Sequence, residues 1–236
     1  MNRIQTIALS LAALFAAAAT PACVADPDSP DDADDEEVAS AEQAAGAPDY
    51  SLGSTVYLRS WNLGVDVELS EIQGCDMFAN GVVRSWQLKE KNARDFRFSK
   101  HFCRDMQQNG TLGADNDFTL HFFHDGDGAL GMSSIPLDKV PVGVRFQAAT
   151  VLNISGDSTH KISDVAMLYE SAYDVYNHLT GYSQASYALG RSDDTYTLTC
   201  LPGQVMTGIG VHEKPGSGDK SEITGLSLGC RILLYQ

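Results

Sequence analysis

The chain carries 31 Asp and Glu against 16 Lys and Arg over 236 residues, a formal net charge of −15. That balance argues against nucleic acid as a partner, because phosphates demand clustered cations. Its five cysteines include no C-x-x-C pair, so the ligand spacing of a structural zinc site is absent.

The chain opens as a targeting segment. Met1-Asn2-Arg3 supplies a positive end, and Ile4 to Ala19 is an Ala/Leu-rich apolar run, short for a membrane span. The junction Thr20-Pro21-Ala22-Cys23 resembles a bacterial lipobox, which implies a signal peptide over 1–22 and lipidated Cys23 as the new N-terminus. Cleavage after Ala22 or Ala25 without lipidation is the alternative and gives a freely secreted protein. Residues 23–49 read as a disordered acidic tether, with ten acidic residues and no Lys or Arg between Asp26 and Asp49. Such a run repels itself and holds too little apolar surface to fold, so its simplest role is a spacer from a membrane.

Residues 50–236 form one domain by length and composition. Short alternating runs separated by Gly, Asn and Asp dominate it. Thr55 to Leu58, Val65 to Leu69, Phe118 to Phe122, Tyr173 to Tyr176 and Tyr196 to Cys200 each read as a strand by their period of two. The last stretch sets a pattern: Val205, Thr207, Ile209 and Val211 alternate with Met206, Gly208 and Gly210, a Gly-rich loop follows, and Ile223, Leu226 and Leu228 lead to Cys230. Shifted back by 61 positions without a gap, Val144, Phe146, Ala148 and Thr150 fall on the first run, and Ile162, Val165, Met167 and Tyr169 on the second. A third copy opens at Cys75, with Val82, Arg84, Trp86 and Leu88 alternating and Cys103-Arg104 echoing Cys230-Arg231. Repeats at about 50–112, 113–172 and 173–236 predict an all-β fold, a β-prism of three pseudo-repeats with about four antiparallel strands each.

Cys200-Leu-Pro-Gly203, Val205, Gly208-Ile209 and then Ile223 to Cys230 resemble the vitelline membrane outer layer protein family. More distantly, Gly216-Ser-Gly218 before a final apolar strand resembles the jacalin-type lectins. The first resemblance implies the prism with disulfides inside repeats, here Cys75–Cys103 and Cys200–Cys230. Cys23 is then the odd cysteine, as lipidation expects. Lys139 and Tyr169 fall on the middle copy's cysteine positions, so no staple is expected there. The second resemblance implies sugar binding by the loop holding Gly216, Gly218, Asp219 and Glu222, through backbone N–H groups and a carboxylate.

Chemistry is thinly marked. Gly225-Leu-Ser227-Leu-Gly229 spells the nucleophile-elbow string, but neither Asp nor His follows it, and Ser227 lies in a strand pattern rather than before a helix. His121 and His124 are three apart, which in a strand points them to opposite faces. Asp115-Asn-Asp117 and Asp125-Gly-Asp127 read as hairpin turns rather than calcium loops. No cofactor or metal is expected. Trp61, Tyr57, Tyr173, Tyr176, Tyr182 and Tyr187 are rings that either fill the core or stack on a sugar, with Trp61 the binding candidate. The expectation is an exported, lipid-anchored module of a bacterial cell envelope that binds glycan or a surface protein without catalysis. An enzyme acting on cell-surface polysaccharide and an inert structural coat protein are the alternatives.

Overall fold

The computed structural model describes residues 48–62, 68–69, 72–90, 96–113, 118–122, 130–152, 158–214 and 222–236. The domain enters on β1 (Tyr50–Asn62), β2 (Glu68–Leu69) and β3 (Gln73–Gly74), then forms a long hairpin of β4 (Gly81–Glu90) and β5 (Phe96–Asp105). Strands β6 (Phe118–Phe122) and β7 (Leu130–Ser134) lead to a second hairpin, β8 (Val140–Leu152) and β9 (Ser158–Glu170). A short helix α1 (Ala172–Tyr176), β10 (Ser183–Gln184) and β11 (Asp194–Thr199) lead to the third, β12 (Gln204–Lys214) and β13 (Glu222–Tyr235).

Each hairpin is the centre of one antiparallel sheet. The strand orders are β6-β5-β4-β7, β10-β9-β8-β11 and β1-β13-β12-β2, with β3 also on β12. The sheets are therefore staggered against the sequence repeats. β6 and β7 flank the first hairpin rather than the second that follows them, and β10 and β11 flank the second rather than the third. The first set, β1 to β3, closes the third sheet, where Tyr50 pairs with Tyr235 and Asn62 with Gly225. The three sheets turn their apolar faces to one shared core, giving the expected β-prism.

Two bulges recur in every hairpin. Arg84, Val142 and Thr207 are skipped in the first strands, and Arg97, Ser163 and Thr224 in the second. These bulges superimpose the copies residue by residue. The second strands of the last two copies correspond at the expected shift of 61 positions, so Ile162 does match Ile223. The first strands correspond at 65, placing Val144 on Ile209 and Phe146 on Val211. The β8–β9 hairpin is longer at its tip, which a gapless alignment cannot represent. Because the error is an even number of residues, every side chain stayed on its correct face.

Matched positions build the core in layers. Val82, Val140 and Val205 form one; Trp86, Val144 and Ile209 a second; Leu88, Phe146 and Val211 a third, all fully buried. His101 stands where the other copies have Met167 and Leu228, opposite Trp86. Burial holds its imidazole pKa down at about 4, with a backbone hydrogen bond at Gln73 acting weakly the other way.

Both expected disulfides are present, Cys75–Cys103 and Cys200–Cys230. They join neighbouring sheets. The Cys75 N–H donates to Thr207 O of the third sheet while its sulfur is bonded to β5 of the first. The Cys200 N–H donates to Val142 O of the second sheet while its sulfur is bonded to β13 of the third. At the remaining edge the Ile135 N–H donates to Arg84 O. Ile135, not Lys139, thus holds the middle copy's first cysteine position, while Tyr169 holds the second as expected; the four-residue offset is the one just described.

One expected strand is a helix. Tyr173 to Tyr176 lie in α1, because Ser171 accepts the Asp174 N–H at 3.0 Å and starts a turn. The alternation of large residues there also satisfies a helical spacing: Ala172 and Val175 are buried and the tyrosines point outward.

Candidate functional site

Of the residues expected to bind sugar, Gly216, Gly218 and Asp219 lie outside the described residues, as does Cys23. Glu222 opens β13 opposite Lys214, at the far end of that hairpin from Tyr235. Trp61 is half-buried, its ring 4.6 Å from Phe146 and 4.5 Å from Tyr196, part of an aromatic stack under the edge of the third sheet.

Ser227 has a partner that the sequence order hid. His212 Nε2 lies 2.8 Å from its Oγ and Ser60 Oγ 2.7 Å, because β12 and β1 flank β13 on either side. Desolvation lowers the His212 pKa, which favours the neutral ring. Ser227 is nevertheless fully buried on a flat strand between Gly210 and Ser60, with no elbow and no approach for a substrate carbonyl. The trio is a polar stitch across three strands. Cys75, His101 and Cys103 have donor atoms within 4.8 Å of one another, but the two sulfurs are bonded together and offer no thiolate.

The open ends of the hairpins, opposite their tips, carry two cavities separated by α1. The first, of about 590 Å³, is lined by Tyr50, Tyr173, Tyr176 and Tyr235 with Asn109, Asp138 and Asn177. Its rings come from remote parts of the chain. Tyr50 begins β1 and Tyr235 ends β13, a direct cross-strand pair with centroids 5.4 Å apart. Tyr176 reaches both from α1, at 6.4 Å and 5.4 Å. Gly110 has φ +80°, and a Cβ there would press on Ala172 and the Tyr50 ring, so the turn after β5 closes on the cluster only with glycine. Burial, followed by the neighbouring tyrosines and Asp174, raises the Tyr50 pKa and keeps its hydroxyl a donor. Asn109 Oδ1 accepts from Thr111 N and Oγ1. Tyr173 is 63% exposed, so one ring face is open to solvent.

The second cavity, of about 220 Å³, has apolar walls that include Val142, Val175, Leu179 and Pro202, and polar groups from Glu170, His178, Tyr182 and Gln204. His178 has φ 55° because it ends α1: its N–H donates to Val175 O while Leu179 N–H reaches back to Asp174 O. That is the double closure of a Schellman motif with histidine where glycine is usual. Gly203, itself at φ +78°, leaves room for the ring, since a Cβ there would lie 2.7 Å from His178 Nε2.

Sequence reasoning flagged Tyr173, Tyr176 and Tyr182 among stacking candidates. Tyr50, Tyr235, Asp138 and Glu170 carry no local motif, and the Asn109-Gly-Thr111 string is a glycosylation sequon rather than a binding signal; closing the third sheet with the N-terminal strand is what brings Tyr50 onto Tyr235.

No protein-family model matches the chain, and no curated protein matches it. Solved structures do. Frutapin, a lectin from Artocarpus incisa, aligns over 76% of this chain and 99% of its own at 9% identity, with a TM-score of 0.48. A mannose-binding jacalin-related lectin from Ananas comosus aligns over 75% and 98% at 8% identity, TM-score 0.44. Single-chain recombinant jacalin aligns over 76% and 96% at 10% identity, TM-score 0.43. The neighbours are jacalin-related lectins, and what this chain has in common with them is the β-prism fold.

Proposed function

We propose that this chain is an exported, non-catalytic carbohydrate-binding module whose glycan site is the tyrosine-lined cavity, tethered to a bacterial envelope through lipid on Cys23. The carrying observation is the convergence of Tyr50, Tyr173, Tyr176 and Tyr235 around a cavity that also presents Asn109, Asn177 and Asp138. Ring faces suit the C–H face of a pyranose, and amide and carboxylate groups suit its hydroxyls. The fold likeness to lectins agrees with this reading but does not supply the ligand.

A glycan array read with residues 48–236 tests it. Tyr173→Ala is expected to weaken the strongest hit about tenfold, the worth of one stacked ring. Asp219→Asn, in the β12–β13 loop, is expected to leave it unchanged. Binding lost in the loop variant and kept in Tyr173→Ala moves the site to that loop. Binding of no glycan, with capture of a defined surface protein, replaces sugar by protein as the partner. For the anchor, a radiolabelled fatty acid is expected on the full chain and not on Cys23→Ala.

A further inference from the structure

The three copies differ at one matched position in a way that points to a ligand. Arg104, Glu170 and Arg231 are equivalent: each lies one residue past the cysteine position and opposite Val82, Val140 or Val205. Both arginines serve the backbone. Arg104 Nη1 donates to Gly113 O at 2.7 Å. Arg231 donates to Leu52 O at 3.2 Å and Ala79 O at 3.1 Å, and also to Gly53 O. In each case a guanidinium at the open end of a hairpin donates to backbone carbonyl oxygen.

The middle copy has the opposite charge at this place. Glu170 cannot donate to carbonyls, and the cavity of about 220 Å³ opens beside it, roofed by Leu179, Thr180 and Gly181. Leu179 follows Glu170 by the same nine residues that separate Gly113 from Arg104. Among the described residues no hydrogen bond or ion pair reaches the Glu170 carboxyl group. Desolvation, then the nearby Asp174 charge, pushes its pKa up, as befits a carboxylate without a counter-charge. A half-buried carboxyl group thus lines the middle copy's cavity at the position where the two sister copies hold guanidinium.

We propose that the Glu170 cavity binds the ammonium group of an amino sugar, a residue of the same glycan whose neighbouring ring stacks in the tyrosine cavity across α1. This rests on the carbohydrate reading above. The ammonium takes the place of the missing arginine head, donating to Glu170 and to the carbonyls of the roofing segment. Gln204, Tyr182 and His178 face the sugar hydroxyls.

Calorimetry on the full chain tests it with four probes: glucosamine, N-acetylglucosamine, glucose and ethylammonium. Glucosamine is expected to bind at least about tenfold more tightly than glucose or its N-acetyl form, the ratio a charge-assisted hydrogen bond supplies. Glu170→Gln is expected to erase that preference with the fold intact by thermal melting. Glu170→Arg copies the sister sites, fills the cavity and is expected to abolish glucosamine binding. Equal binding of glucosamine and glucose, or a preference that survives Glu170→Gln, overturns the proposal. If ethylammonium binds in a Glu170-dependent way and no sugar adds to it, the cation site stands and the amino-sugar assignment, with the carbohydrate reading, falls. If neutral sugars bind in a Tyr173-dependent way and no amine responds to Glu170, the carbohydrate reading stands and the cation site falls.

Discussion

Ile135 and Tyr169 hold, at one edge of the prism, the two positions that a disulfide joins at each of the other edges. The bulge pattern makes the three edges equivalent, and the existing bridges span Cα separations of 5.5 and 5.8 Å. Replacing both residues by cysteine is expected to form a third bridge without adjustment elsewhere. Closing a loop of that length contributes roughly 3–4 kcal/mol in the chain-entropy model, less the packing lost with Ile135. Free-thiol titration and the rise in Tm on oxidation measure it; two free thiols in the folded oxidised protein would show that the edges are not equivalent.

His101 makes the domain sensitive to acid. Its folded pKa, about 4, lies below the unfolded value of 6.5, so the unfolded chain binds the extra proton first. The stability present near neutrality is lost as pH falls from 6.5 toward 4, roughly 3 kcal/mol for a shift of this size. Glu170 acts in the opposite sense, since its raised pKa makes protonation favour the fold. His101→Leu, matching the third copy's Leu228, is expected to flatten the acid limb. Chemical denaturation at several pH values reads the slope directly.

Asp164 organises the segment between β10 and β11. It is fully buried, and its carboxylate accepts the N–H groups of Val165, Leu189 and Arg191 at 2.8 to 2.9 Å. Asp193 is held in turn by Ser163 and Gln147. Asp164→Ala leaves those donors unpaired and is expected to cost about 3 kcal/mol or more, with residues 185–193 becoming the first site of proteolysis. Unchanged cleavage kinetics would assign the segment's order to its apolar contacts through Ala185, Ala188 and Leu189 instead.

Ser227 is expected to behave as structure, not as a nucleophile. Ser227→Ala should lower stability by about 1 kcal/mol through the lost bonds to Ser60 and His212. Glycan binding should be unaffected, and the native protein should resist a fluorophosphonate probe. Stoichiometric labelling at Ser227 would reopen a hydrolase reading.

Period and repetition were enough to read the fold. Alternation in Val205 to Val211 and its echoes around Val144 and Val82 fixed three one-sided hairpins, and the repeat placed their cysteines at matching ends. These are local properties, carried by side chains that must face one apolar axis. Three things were out of reach. The four-residue slip between Val144 and Ile209 was invisible because an even slip preserves every face. The helix at Tyr173 was hidden because an alternating run also satisfies a short helical stretch, and only the Ser171 cap decides between them.

The candidate site was the third, and the largest. From the sequence alone come the β class, the triplication, the disulfides and the acidic segment before Tyr50, all of which depend on neighbours in the chain or on a regular spacing. Only the tertiary structure could place Tyr50 beside Tyr235, Ser227 beside His212, and Glu170 where its sister positions hold arginine. Those encounters are made when the N-terminal strand zips onto β13 and the hairpins close around a shared core. No local pattern encodes them, because the residues meet through the pairing of strands far apart in the chain.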